Sequence, residues 1–167
     1  MASTYPLEVV QAARWAKANS KVAGKALEDA MQQQPWDPAV KSLTSVPQVL
    51  QQMNDKLDWT QKLGDAFLAQ QSDVMDTVQG LRAKAAAAGN LKTTEQQVVK
   101  TQQQAGNTIY VVESTKPDVI YVPTYNPTVV YGTGWYPAPP YDVYPPSYVY
   151  PPGLAFATGV LVGAAIW

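Results

Sequence analysis

Asp58-Trp-Thr-Gln-Lys-Leu-Gly-Asp-Ala-Phe-Leu-Ala-Gln-Gln-Ser-Asp-Val-Met-Asp-Thr-Val-Gln-Gly-Leu-Arg-Ala-Lys-Ala85 is the stretch that decides the fold of this chain. Trp59, Leu63, Phe67, Val74, Val78, Leu81 and Ala85 follow steps of three, four and seven, so a helix places them on one stripe. Asp58 reads as its N-cap, and Gly89-Asn90 supplies a left-handed terminator. Unbroken, such a helix runs roughly 45 Å. Gly64, Gly80 and the polar Gln70-Gln71-Ser72 are where it can bend or break.

Outward toward the N-terminus the helical period continues. Pro6 suits a first helical position, with Glu8 early and Leu7, Val10 and Ala13 recurring. A second helix runs from about Val22 to Gln33. Asp37-Pro38 pairs a natural cap with a natural first residue, and Ser45-Val46-Pro47 repeats the device. Toward the C-terminus the period changes. The β-rich runs 97–101 and 108–112 flank Ala105-Gly106-Asn107, a hairpin signal. Val119-Ile-Tyr-Val122 and Thr128-Val-Val-Tyr131 read as two more short strands around Pro123-Thr-Tyr-Asn-Pro127, with the prolines confining them to edges.

Composition then breaks near Lys116. Beyond it Asp118 and Asp142 are the only charged side chains, and nine of the ten tyrosines and ten of the fourteen prolines lie between Tyr110 and Pro152. The expected architecture is α+β. A helical domain of four to five helices (residues 1–90) precedes a small antiparallel β element (91–132). An extended Pro/Tyr-rich arm (133–152) and an apolar Gly/Ala-rich segment (153–167) follow. A folded module with a stiff, sticky tail has this composition, and a catalytic domain rarely does.

The 167 residues contain no cysteine and no histidine, and the net charge is −1. Disulfides, thiolate sites and a histidine-based triad are thereby excluded, and scattered Lys and Arg give no nucleic-acid footprint. Asp58 and Asp65 share a helical face, as do Asp73 and Asp76, and such pairs can serve acid/base work or bind a metal. The reading preferred here is a cap and the solvated side of an amphipathic helix. Trp15, Trp36 and Trp59 can form an aromatic platform, although rings beside helix ends more often lock helices together. No catalytic residue, metal ligand or cofactor is assigned.

Several blocks resemble the bacterial envelope family called domain of unknown function 3300. They are Tyr5-Pro-Leu-Glu-Val-Val-Gln-Ala-Ala-Arg-Trp15, Trp36-Asp37-Pro38 with Val40 and Leu43, and Trp59-Thr-Gln-Lys-Leu-Gly-Asp-Ala-Phe67. Gly89-Asn-Leu91 and Tyr121-Val-Pro-Thr-Tyr-Asn-Pro-Thr-Val-Val-Tyr-Gly132 complete the set. The resemblance implies an exported protein of the periplasm, outer membrane or cell surface, and no activity. Members of the family usually carry an N-terminal secretion signal and a polar C-terminal tail. This chain shows neither and reads as a fragment or a short version.

The expected role is a non-enzymatic module that docks or self-assembles. Its interaction residues are Tyr121, Tyr125, Tyr131, Trp135, Tyr136, Tyr141, Tyr144, Tyr148 and Tyr150. Proline holds such a tract extended before binding, and tyrosine offers apolar area plus one hydrogen bond. Leu154, Phe156, Gly159, Val160, Leu161, Gly163 and Trp167 would serve assembly or membrane contact, since Gly159-Val-Leu-Val-Gly163 matches the small-xxx-small spacing of paired membrane helices. A strand or helix buried in protein is the other reading of that run. The partners implied are another copy, an envelope protein or a membrane, and not nucleic acid. The alternatives are a protein that binds or hydrolyses cell-wall polymers through its helix carboxylates and tryptophans, and a membrane-anchored adaptor of another envelope complex.

Overall fold

A computed structural model describes residues 1–22, 24–116 and 119–134, together with the backbone of 155–160. Two compact units are present. Among the described residues, one is built from Met1–Gln71 with 159–160, the other from Ser72–Thr158.

The first unit is helical. A 3-10 turn, Ala2–Thr4, leads into α1 (Pro6–Ala18), α2 (Gly24–Gln32), α3 (Pro38–Leu43), α4 (Pro47–Asp55) and α5 (Leu57–Ala69). Pro6, Pro38 and Pro47 each occupy the first turn of a helix, where the missing N–H costs nothing. Asp37 caps α3 by accepting from Ala39 N at 2.8 Å. Val9, Ala12, Ala13, Trp36, Val40, Leu50 and Met53 form the buried core, on which α1 packs against α3, α4 and α5.

Two polar side chains one turn apart on α1 fix the entry to α3. Glu8 accepts from Asp37 N at 2.7 Å, and Gln11 accepts from Trp36 Nε1 at 3.1 Å. Thr60, fully buried, donates to the Met53 carbonyl at 2.7 Å, which ties the start of α5 to the end of α4. Gly64 is where the 3-10 turn meets α5. A Cβ there would stand 2.2 Å from the Ser3 carbonyl oxygen, so only glycine admits the approach.

The long stripe read from Asp58 is two helices. Gln70 (φ −149°, ψ 56°) ends α5, and α6 (Gln71–Ala87) opens the second unit. The expected breaking points thus narrow to Gln70, while Gly64 serves close packing within an unbroken α5. Asp58 is not the cap: Lys56 holds that position and Asp58 lies in the first turn, where its charge still favours the helix dipole.

α6 ends as the Gly89-Asn90 signal required. Gly89 (φ 73°) donates to Ala86 O at 2.9 Å and Asn90 N donates to Ala85 O at 2.8 Å, a Schellman closure. The antiparallel hairpin of β1 (Gln97–Gln104) and β2 (Asn107–Ser114) turns through Ala105 (φ 49°) and Gly106 (φ 82°). Two consecutive positive φ values match the right-handed twist of the strands. β3 (Val119–Thr124) pairs with β4 (Ala155–Val160).

One expected strand is a helix. Thr128-Val-Val-Tyr131 lies in α7 (Pro127–Tyr131). Its three β-branched residues favour extension, but Asn126 accepts from Thr128 N at 3.0 Å and Pro127 presets the first helical φ. The cap and the proline win over propensity, and Val130 is buried as a result.

Candidate functional site

The first of the expected interaction residues lie in the second unit. Tyr121 lies half-buried in β3, and Tyr125 and Tyr131 bracket the Asn126–Pro127 helix start. The two rings meet edge to face, with centroids 5.5 Å apart at 89°, and their hydroxyls hydrogen-bond to each other. Burial first, and the Tyr131 hydroxyl second, push the Tyr125 pKa well above the usual tyrosine value, so the phenol stays protonated.

Asn90 anchors the same feature from the end of α6. Its Nδ2 donates to Val129 O at 3.1 Å and to Val130 O at 3.2 Å, which satisfies carbonyls at the C-terminal end of a five-residue helix. Gly132 (φ 83°) and Gly134 (φ 70°) follow this fixed root in left-handed backbone conformations. Trp135, Tyr136, Tyr141, Tyr144, Tyr148 and Tyr150 lie outside the described residues, as do Leu154, Leu161, Gly163 and Trp167. Phe156, Gly159 and Val160 fall on β4, an extended segment. No helix among the described residues is long and apolar enough to cross a membrane.

The carboxylates divide between the units. Asp58 and Asp65 line one cleft of about 350 Å³ with Ser3, Thr4, Gln61 and Lys62. Asp73 and Asp76 stand exposed on α6. Among the described residues no group of three or more acidic side chains could hold a metal ion. The tryptophans pack the first unit: Trp36 is buried in its core, meets Trp15 edge to face at 5.7 Å, and Trp59 packs against the same cluster.

Sequence reasoning missed two features. One is an apolar groove of about 630 Å³ in the first unit, lined by Trp15, Ala16, Val22, Leu27, Pro47 and Leu50 among others. Helical periodicity marks these residues only as inward-facing and cannot say that the space between them stays open. The other is the clamp on β2. Gln79 Oε1 accepts from Tyr110 N at 2.9 Å, while Gln79 Nε2 at 3.4 Å and Arg82 Nη1 at 2.7 Å donate to Tyr110 O. The only signal for it is a glutamine beside Val78 on the stripe of α6.

The model of the family described as "Protein of unknown function (DUF3300)" matches residues 1–167. The chain is also similar to the uncharacterized protein YacH of Escherichia coli (strain K12). The two are 42% identical over 160 residues, covering 79% of this chain and 26% of YacH. The chain therefore spans about a quarter of the length of that curated relative. No solved structure matches.

Proposed function

The chain belongs to the family of proteins of unknown function DUF3300, and we propose that it serves in the bacterial envelope as a non-enzymatic docking module. In this reading the Pro/Tyr-rich arm makes the contacts and the folded units present it. The observation that carries it is the composition of the last third. One charged side chain, Asp142, is found from Val119 to Trp167, a stretch dense in tyrosine and proline. Apolar surface of that kind gains roughly 25 cal/mol per Å² when removed from water, less the ordering cost that proline keeps low.

The fixed root supports the same reading. A contact tract transmits force or register only if its base is held, and Tyr125, Tyr131 and Asn90 hold it through three side-chain hydrogen bonds. Tyr125 and Tyr131 then belong to the platform, and Tyr136 through Tyr150 to the contact surface. An open head-to-tail contact between arm and body gives a filament, and one that closes gives a ring.

Sedimentation of the full chain beside a version ending at Gly134, with and without liposomes, tests the proposal. Large species formed by the full chain alone make the arm an assembly device, and flotation with liposomes makes the apolar segment a membrane contact. Identical behaviour of the two versions overturns the proposal.

A second reading draws on the cleft that collects Asp58 and Asp65. Two carboxylates beside Gln61 and Lys62 suit a polar polymer such as a cell-wall glycan. Asp58→Asn with Asp65→Asn abolishes binding to isolated cell wall if this reading holds, and leaves binding unchanged if the arm carries the function.

A further inference from the structure

The hairpin of the second unit guards its edges unevenly. Thr101 lies opposite Tyr110 in the register, and the backbone groups of Tyr110 are taken by Gln79 and Arg82. Tyr110 and Thr101 are thus a pair that exchanges no hydrogen bonds, and both direct N–H and C=O away from the hairpin. By the two-residue period of a strand, Gln97, Val99, Thr101 and Gln103 all direct their backbone groups to the outer edge of β1.

The chain itself covers half of that edge. Thr94 N donates to Gln97 O at 2.9 Å, and Gln97 N donates to Thr94 Oγ1 at 3.3 Å. Val99 N donates to Thr93 Oγ1 at 3.0 Å, and the same hydroxyl donates back to Val99 O at 3.4 Å. The segment 93–94 therefore blocks the first two positions as an added strand would. Thr101 and Gln103 receive nothing of the kind. Among the described residues their outward N–H and C=O groups have no partner, and 101–104 are fully on the surface.

We propose that this open edge, centred on Gln102, pairs antiparallel with the same edge of a second copy. The chemistry of the strip selects a copy over another partner. From Thr101 to Tyr110 there is no charged side chain and no proline, the two devices by which exposed edges repel pairing. Gln102, Gln103 and Gln104 carry amides that both donate and accept, so like meets like without conflict. Lys100, the nearest charge, is already paired with Glu113 at 2.6 Å.

The register follows from the free groups. With Gln102 on the two-fold axis, Thr101 faces Gln103 of the second copy and Gln103 faces its Thr101, giving four backbone hydrogen bonds. Extension by one more pair is blocked, because Val99 is occupied by Thr93 and Ala105 has entered the turn. The contact is short and self-limiting, and two hairpins become one four-stranded sheet. It uses a surface distinct from the Pro/Tyr arm and does not rest on the arm's role.

The absence of cysteine makes the test direct, since any disulfide in a single-cysteine variant joins two copies. Gln102 residues facing each other across the axis form a pair without mutual hydrogen bonds, with Cα atoms about 4.5 Å apart. That lies within disulfide reach. Full-length Gln102→Cys, mildly oxidised, is expected to give a reducible dimer. Gln104→Cys is expected to stay monomeric on a denaturing gel, because the two sulfurs sit four residues apart along the strands, roughly 13 Å. Equal cross-linking of both variants, preferential cross-linking of Gln104→Cys, or none in either overturns the proposal. Gln102→Lys, which sets two like charges face to face, supplies a second readout. It is expected to weaken association several-fold with an unchanged circular dichroism spectrum, and unaltered association counts against the pairing.

Discussion

Glycine at position 64 and glycine at position 80 look alike in the sequence, each set within a helical stripe, yet they answer to different physics. At Gly64 a Cβ overlaps the Ser3 carbonyl, whereas at Gly80 nothing lies within 4 Å. The same substitution should therefore act with opposite sign. Gly80→Ala gains about 0.5–1 kcal/mol from helix propensity. Gly64→Ala costs roughly 1–3 kcal/mol as the 3-10 turn is forced off α5. Denaturant unfolding of the two variants checks the contrast. Tyr125 gives a second prediction at this scale. Its pKa is raised in the folded state, so the protonated phenol is favoured there. Its contribution is fully present below the unfolded value near 10.0 and is lost as pH rises toward the higher folded value. Unfolding midpoints should fall above about pH 10, and Tyr125→Phe should flatten that decline relative to the parent chain.

Elements were legible where local signals agreed. The proline starts of α1, α3 and α4, the Schellman end of α6 and the two-residue turn of the hairpin are all written in a few adjacent residues. They failed to be legible where signals conflicted. Val129 and Val130 carry strand propensity, but a cap and a proline upstream decide for helix, and Asn90 from 39 residues away stabilises it. Gln79 is the counterpart for the hairpin. It supplies from a helix the hydrogen bonds that a third strand would give to Tyr110. Gln79→Leu leaves the Tyr110 carbonyl with Arg82 and its N–H with nothing, a loss of about 1–3 kcal/mol for an unsatisfied group. Hydrogen exchange at the Tyr110 amide should accelerate, while the Val9–Leu50 core of the other unit keeps its protection.

For the whole molecule, the near-neutral balance of charge matters more than any one pair. With a net charge of −1, and with its ion pairs such as Lys25–Asp29 exposed, electrostatics contributes little between copies. Association through an uncharged Gln edge or a Tyr/Pro arm should change little between about 50 and 500 mM salt at pH 7, a range over which charge-driven contacts are screened. Light scattering across that series checks it, and a steep loss of association with salt counts against both surfaces. The candidate arm itself was visible in composition, because tyrosine, proline and charge are counted without any fold. The groove beside Trp15 and the open edge at Thr101 were not, because each is defined by what fails to pack or pair against it.

By itself the sequence determined the α+β class, most helix boundaries, the hairpin and the change of character after Lys116. These depend on interactions within a few residues of one another. Only the tertiary structure decided that the long stripe divides at Gln70, that residues 127–131 coil, and that the tryptophans pack a core. It alone shows which backbone groups of β1 and β2 are covered. Those outcomes rest on contacts between residues far apart in the chain, such as Glu8 with Asp37, Gln79 with Tyr110 and Asn90 with Val130. Their energies outweigh local preference only once the pieces have been brought together.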